Sequence, residues 1–245
     1  MFKNIRARFI RGEEVKFISH LDLMKVFERA SRRGSIPLAY SRGFNPHPQM
    51  IFGLPLSVGV TSEAEYVDFE LEHELQPEEF IATLNNQLPK GLKITDAKHF
   101  STRANIMKSI GYASYHVLAS SDEKLGINIM SNIIKEMMER TQVLMLKESK
   151  KGTREIDIRP MIIKLEEFEA SSEELIMPED KEVSRLSMLL LAGSVSNLKP
   201  ELLVSALNKI GDINLKIVKI HRTGLFIGKE GNVLEPLDDR ALLEA

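Results

Sequence analysis

The chain has 245 residues, 43% of them hydrophobic, with 33 Lys and Arg against 35 Asp and Glu, a formal net charge of −2 and no cysteine. That length exceeds the usual single domain, so two domains of roughly 100 to 120 residues are expected, each able to bury a core. The absence of cysteine excludes disulfides, thiolate nucleophiles and an iron–sulfur cluster held by this chain, and no apolar run approaches the roughly 20 residues that span a bilayer.

The N-terminal MFKNIRARFIRGEE lacks the apolar centre of a signal peptide, which points to a cytoplasmic protein without a membrane partner. Ile5 to Ile10 and Val15 to Ile18 read as a strand pair or one bent strand turned at Gly12-Glu13. Ser19 followed by Asp22 has the form of a helix N-cap, where hydroxyl and carboxylate satisfy the unpaired amides of the first turn. Leu21, Leu23, Met24, Phe27, Ala30 and Ser31 supply a helical apolar period, and Gly34 ends it. Lys25, Arg29, Arg32 and Arg33 fall at i, i+4, i+7 and i+8 and so share one flank of that helix.

Pro37 to Tyr40 is expected as a short strand, and the loop SRGFNPHP follows it. Pro46 and Pro48 hold Asn45 and His47 in extended geometry, so the imidazole sits on a stiff backbone. Gln49 to Leu54 and Glu65 to Glu72 alternate as half-buried strands. In the second of these Val67, Phe69 and Leu71 are expected inward and Tyr66, Asp68, Glu70 and Glu72 outward. Pro77 opens a helix with Phe80, Ile81, Leu84 and Leu88, Gly91 closes it, and Leu92 to Ala97 is a last strand. Strand, helix, strand, strand, helix, strand is the order of a split βαβ, or ferredoxin-like, domain.

The second half repeats that order. Tyr112 to Ala119 is a strand, and Ile127, Met130, Ile133, Ile134, Met137 and Met138 mark a helix. Val143 to Lys147, Ile156 to Leu165 with a break at Pro160, and Ser187 to Ala192 read as extended. A Pro200 helix with Leu202, Leu203, Ala206, Leu207 and Ile210 precedes a strand from Leu215 to His221. Residues 171 to 180 form an acidic loop. The expectation is α+β: two tandem ferredoxin-like domains with antiparallel sheets, at 1–104 and 105–228, and a mobile tail at 229–245.

The stretch SHLDLMKVFERASRRGSIPLAYSRGFNPHP, with GLPLSVGVTSEAEYVDFEL close behind, resembles the bacterial family of radical SAM-linked, or radical SAM-associated, domains. The likeness runs from about Ile5 to Phe226 and is densest between His20 and Glu70. That family stands beside, or is fused behind, a B12-binding radical SAM protein, so the resemblance implies such a partner; the family has no settled activity from which a reaction follows. A radical SAM enzyme ligates its cluster with three cysteines. Here the cluster would have to sit on another polypeptide.

Three readings of the chemistry stay open. Residues 1 to 50 hold ten basic against four acidic side chains, while the remainder holds 23 against 31, a basic front on an acidic body suited to a polyanion or an acidic protein surface. The first reading is a non-catalytic accessory module that recognises RNA, such as tRNA or rRNA, through Lys25, Arg29, Arg32, Arg33, Arg42, Asn45 and His47, with Arg154 and Arg159 secondary beside Lys150 and Lys151. Tyr40 and Phe44 interleave with Arg42, whereas Phe52 and Phe69 are expected in the core. The second is a metal-independent endoribonuclease in which His20 and His47 exchange the 2′-hydroxyl and leaving-group protons; the layout is similar to that of the CRISPR repeat-processing endoribonucleases. The third is a protein-binding adaptor of the radical SAM enzyme. The histidines show no metal-ligand spacing and no glycine-rich phosphate loop is present, so no metal and no cofactor is expected.

Overall fold

The computed structural model describes residues 3–101, 105–122, 126, 128–149, 152–169, 182–193, 196–229 and 232–243. The chain is mixed α/β with mostly antiparallel strands, and it divides into two compact units. One comprises Met1–Tyr112 together with Arg222–Ala245, the other Ala113–His221.

The first unit opens with β1 (Asn4–Arg11), a 3-10 turn (Glu13–Val15) and α1 (His20–Arg33), followed by β2 (Met50–Phe52) and β3 (Thr61–Glu70). Next come α2 (Pro77–Asn85), β4 (Leu92–His99) and the short α3 (Ile106–Ser109). β1 pairs antiparallel with both β3 and β4, and β2 lies antiparallel on β3, so the order is β4-β1-β3-β2. Alternation on β1 sends Ile5, Ala7 and Phe9 to the face that α1 and α2 cover. There Phe27 of α1 stands 5.0 Å from Phe9 and 5.4 Å from Phe52, and Phe69 stands 4.9 Å from Phe80. Phe52 and Phe69 are core residues, as their alternation indicates. Each such ring contributes about 1.5–3 kcal/mol by leaving water.

Two local expectations need correction. Val15 to Ile18 is not a strand, because the buried Arg11 guanidinium collects the carbonyls of Val15, Lys16 and Ile18 at 3.4, 2.9 and 2.6 Å and curls the backbone there. Nor does β3 have a solvent face along its length. Tyr66 and Asp68 are buried, with Asp68 gripped by Arg6 at 2.7 and 2.9 Å, whereas Glu70 and, just beyond the strand, Glu72 are exposed as expected.

The second unit begins within β5 (Ile110–Ser121) and continues through α4 (Ile129–Glu139), β6 (Leu144–Ser149), β7 (Gly152–Asp157), β8 (Ile162–Glu167), β9 (Glu182–Leu191) and α5 (Pro200–Gly211) into β10 (Lys216–Lys229). Strand order is β10-β5-β9-β8, while β6 and β7 form a separate two-stranded hairpin. Pro160 breaks the extended run into β7 and β8 by a 3-10 turn, Arg159–Met161. Met130, Ile133, Ile134 and Met137 are the buried face of α4, and Leu203, Val204, Ala206 and Leu207 that of α5.

From Arg222 onward β10 belongs to the first unit, where β11 (Asn232–Leu234) pairs with it and α6 (Asp239–Leu243) follows. The residues expected as a mobile tail are thus partly structured: Leu237, Ala241 and Leu242 are buried, and Arg6 Nη1 donates to Pro236 O at 3.2 Å. Among the described residues no helix is long and apolar enough to cross a membrane. Lys150, Lys151 and the acidic run 171–180 lie outside the described residues.

Candidate functional site

Helix α1 is started by the cap its sequence announces. Asp22 N donates to Ser19 Oγ at 3.2 Å and the hydroxyl donates in turn to Asp22 Oδ2 at 2.7 Å. Upstream, Arg11 holds the 15–18 turn, and Gly59 N donates to Lys16 O at 2.8 Å. His20, first residue of the helix, is half-buried with its ring edge-on to Phe52 at 5.5 Å. Burial, and secondarily the Arg11 charge, hold its imidazole below the usual 6.5. His20 is therefore placed as a packing and helix-start residue. It shares no hydrogen bond or ring contact with His47 among the described residues.

The four cations on α1 are not equivalent. Lys25 lies 3.7 Å from Asp22 and Arg32 2.9 Å from Glu28, so both are internally paired. Arg33 donates to Gln87 Oε1 at 3.3 Å and also to Gln87 O, which ties α1 to the end of α2. Arg29 is exposed and carries no ion pair or hydrogen bond among the described residues. On this helix, it is the cation whose charge is most available to a ligand.

The SRGFNPHP loop is built as a closed neck with an open tip. Gln49 N donates to Ala39 O at 2.8 Å, Tyr40 bridges Pro48, Ser41 N donates to His47 O at 2.8 Å, and His47 N donates to Ser41 Oγ at 2.9 Å. Arg42, Gly43, Phe44, Asn45, Pro46 and His47 are all exposed, Phe44 completely so. The side chains of Arg42, Asn45 and His47 have no partner among the described residues.

In the second unit Arg154 is exposed on β7, opposite Lys147 in the β6–β7 register. Arg159 is committed inward. Its Nη2 and Nε donate to Met138 O at 2.8 and 3.3 Å and its Nη1 to Ile162 O at 3.1 Å, so it caps the carbonyl end of α4. A groove of about 290 Å³ is lined by side chains of both charges, Lys147 and Lys199 beside Glu148 and Glu201, together with Leu146 and Leu202. Among the described residues no three His, Asp or Glu side chains gather as metal ligands.

Sequence reasoning missed two buried ionic groups. Arg6 with Asp68 is one. The other joins Glu65 to Arg222, with Arg11 near enough to act on the same carboxylate. Burial pushes the Glu65 carboxyl up while the Arg222 guanidinium pulls against it, and Asp68 is likewise raised by burial against the opposing bonds of Arg6. The one signal in the sequence was Arg at alternate positions of an apolar strand, at 6 and 8. Exposed Phe17, Leu21 and Val58 were missed too; Leu21 counts toward the apolar period yet stands 68% exposed, off the Leu23–Phe27–Ala30 stripe.

A family model described as "Uncharacterized protein conserved in bacteria (DUF2344)" matches residues 4–200, and the chain belongs to that family. No curated protein matches. Among solved structures the chain is similar to one in a crystal structure of a Cbf5-Nop10-Gar1 complex, at 10% identity and a TM-score of 0.51, over 91% of this chain and 49% of that one. A second likeness is to the archaeal box H/ACA sRNP Nop10-Cbf5 complex, at 12% identity and a TM-score of 0.44, over 90% and 47%. The chain thus spans about half the length of these two solved chains, 49% and 47%, and the first likeness concerns the fold alone.

Proposed function

We propose that this member of the bacterial family is a non-catalytic, cytoplasmic substrate-recognition module that binds RNA, such as tRNA or rRNA, and presents it to a separately encoded radical SAM enzyme. The observation that carries the RNA reading is the availability of Arg29, Arg42, Asn45 and His47: all are exposed, and no internal partner among the described residues occupies them. Cations left unpaired on a helix face and a stiff loop are what phosphate contacts require. Arg154 extends the same character to the second unit. The radical SAM partner is supported by the resemblance carried by residues 19–48 and by a chain that offers no cysteine to a cluster of its own.

We read each unit as ferredoxin-like. The order β4-β1-β3-β2 with α1 and α2 as the crossover helices supports this for the first, and β10-β5-β9-β8 with α4 and α5 for the second. A second function has one observation in its favour. Phe17 and Leu21, before and within the first turn of α1, and Val58 are exposed apolar side chains, which suits an adaptor that docks a protein.

The test is to purify the chain at moderate ionic strength, sequence the RNA that accompanies it, and repeat with Arg29→Glu/Arg42→Glu. A discrete RNA species retained by the wild type and lost by the folded variant is the expected result. RNA-free protein bound only to a radical SAM enzyme overturns the RNA reading in favour of the adaptor.

A further inference from the structure

Going one step beyond RNA binding, and resting on it, we infer that the tip of the 40–48 loop is a stacking site for an unpaired nucleobase, with Phe44 as its platform. The neck of the loop is zipped by two backbone hydrogen bonds that flank the Tyr40–Pro48 pair and by the Ser41 hydroxyl, and Pro46 and Pro48 remove conformational freedom from its returning arm. Gly43 adopts φ +147°, a conformation other residues rarely take, and sets the turn ahead of Phe44. The ring of Phe44 is thereby presented fully to solvent on a braced scaffold.

An exposed Phe forgoes about 1.5–3 kcal/mol of burial. A base laid on that ring restores much of it, since base–aromatic stacking is worth about 1–3 kcal/mol per base. The neighbours fit such a ligand: Arg42 precedes the ring by two positions and can meet the phosphate, while the Asn45 amide offers both a donor and an acceptor to a base edge. Paired bases in a helix keep their faces stacked inside, so this geometry selects loops, bulges and single strands over duplex.

The chain contains no tryptophan, so Phe44→Trp places a lone reporter at the tip. Its emission is expected to fall by roughly half or more when an RNA hairpin with an unpaired loop binds, and to stay unchanged with a fully paired RNA of equal length. Phe44→Ala should weaken the hairpin complex roughly 5- to 100-fold and leave duplex binding unaltered. Anisotropy of labelled RNA reports binding independently. A hairpin complex that forms without quenching, or with equal quenching by the duplex, overturns the stacking site while RNA binding stands; the tip is then left for a protein contact. Absence of any RNA complex overturns both readings.

Discussion

Arg222 Nη1 lies 2.9 Å from Leu54 O and 2.9 Å from Glu65 Oε1, so one buried guanidinium fastens β10 to both β3 and the segment that follows β2. The side chains of Glu65 and Arg222 are 7% and 3% exposed, which makes each the other's necessary counter-charge. Glu65→Ala, which strands Arg222 in the interior, is expected to cost about 3–5 kcal/mol in urea unfolding. A loss below about 1 kcal/mol, the range of exposed pairs, would show that this contact is solvated.

The cations of α1 should rank by their internal partners. Arg29→Glu is expected to lower RNA affinity and to reduce the salt slope by about 1, since it removes one available phosphate contact. Arg33→Glu should act chiefly on stability, because Arg33 ties α1 to Gln87. Filter binding at several salt concentrations, with thermal melts of each variant, checks the ranking. Equal salt slopes for wild type and Arg29→Glu would remove Arg29 from the interface.

Arg159 is expected to matter for folding. Arg159→Met leaves the carbonyls of Met138 and Ile162 without their donor, at a cost of about 1–3 kcal/mol, and should leave RNA affinity unaltered. An affinity loss in a variant of wild-type stability would return Arg159 to the binding surface.

His20 makes a pH prediction with a definite sign. Its folded imidazole is held below 6.5 by burial and by Arg11, so the unfolded chain binds the proton first as pH falls. Stability from this group is fully present above 6.5 and is lost as pH drops through 6.5 toward the folded value. The stability difference between wild type and His20→Gln should therefore shrink on acidification below neutrality, and the His20 resonances should titrate below 6.5. Resonances that titrate above 6.5 would contradict this placement.

Much of the site was readable in the chain because its signals are local. The Ser19–Asp22 cap, the Leu23–Phe27–Ala30 stripe and the stop at Gly34 each depend on neighbours within one or two helical turns, and α1 forms as they indicate. The prolines that stiffen the GFNPHP loop act on the residues immediately before them. Ile5 to Ile10 was legible as extended for the same reason, and β1 spans it.

Tertiary structure alone decided which charges are free. Arg6 and Arg11 count toward the basic front in sequence, yet both are 1% exposed and spent on Asp68 and on backbone carbonyls. Likewise Lys25 and Arg32 share one flank with Arg29, but Asp22 and Glu28 pair with the first two and not with the third. Asp68 leaves the solvent face expected for β3 because it meets an arginine 62 positions away, and Glu65 is held in the interior by one 157 positions away. Periodicity reports which side chains share a face. What covers that face, and which cation keeps its charge for a ligand, depends on segments that only the folded chain brings together.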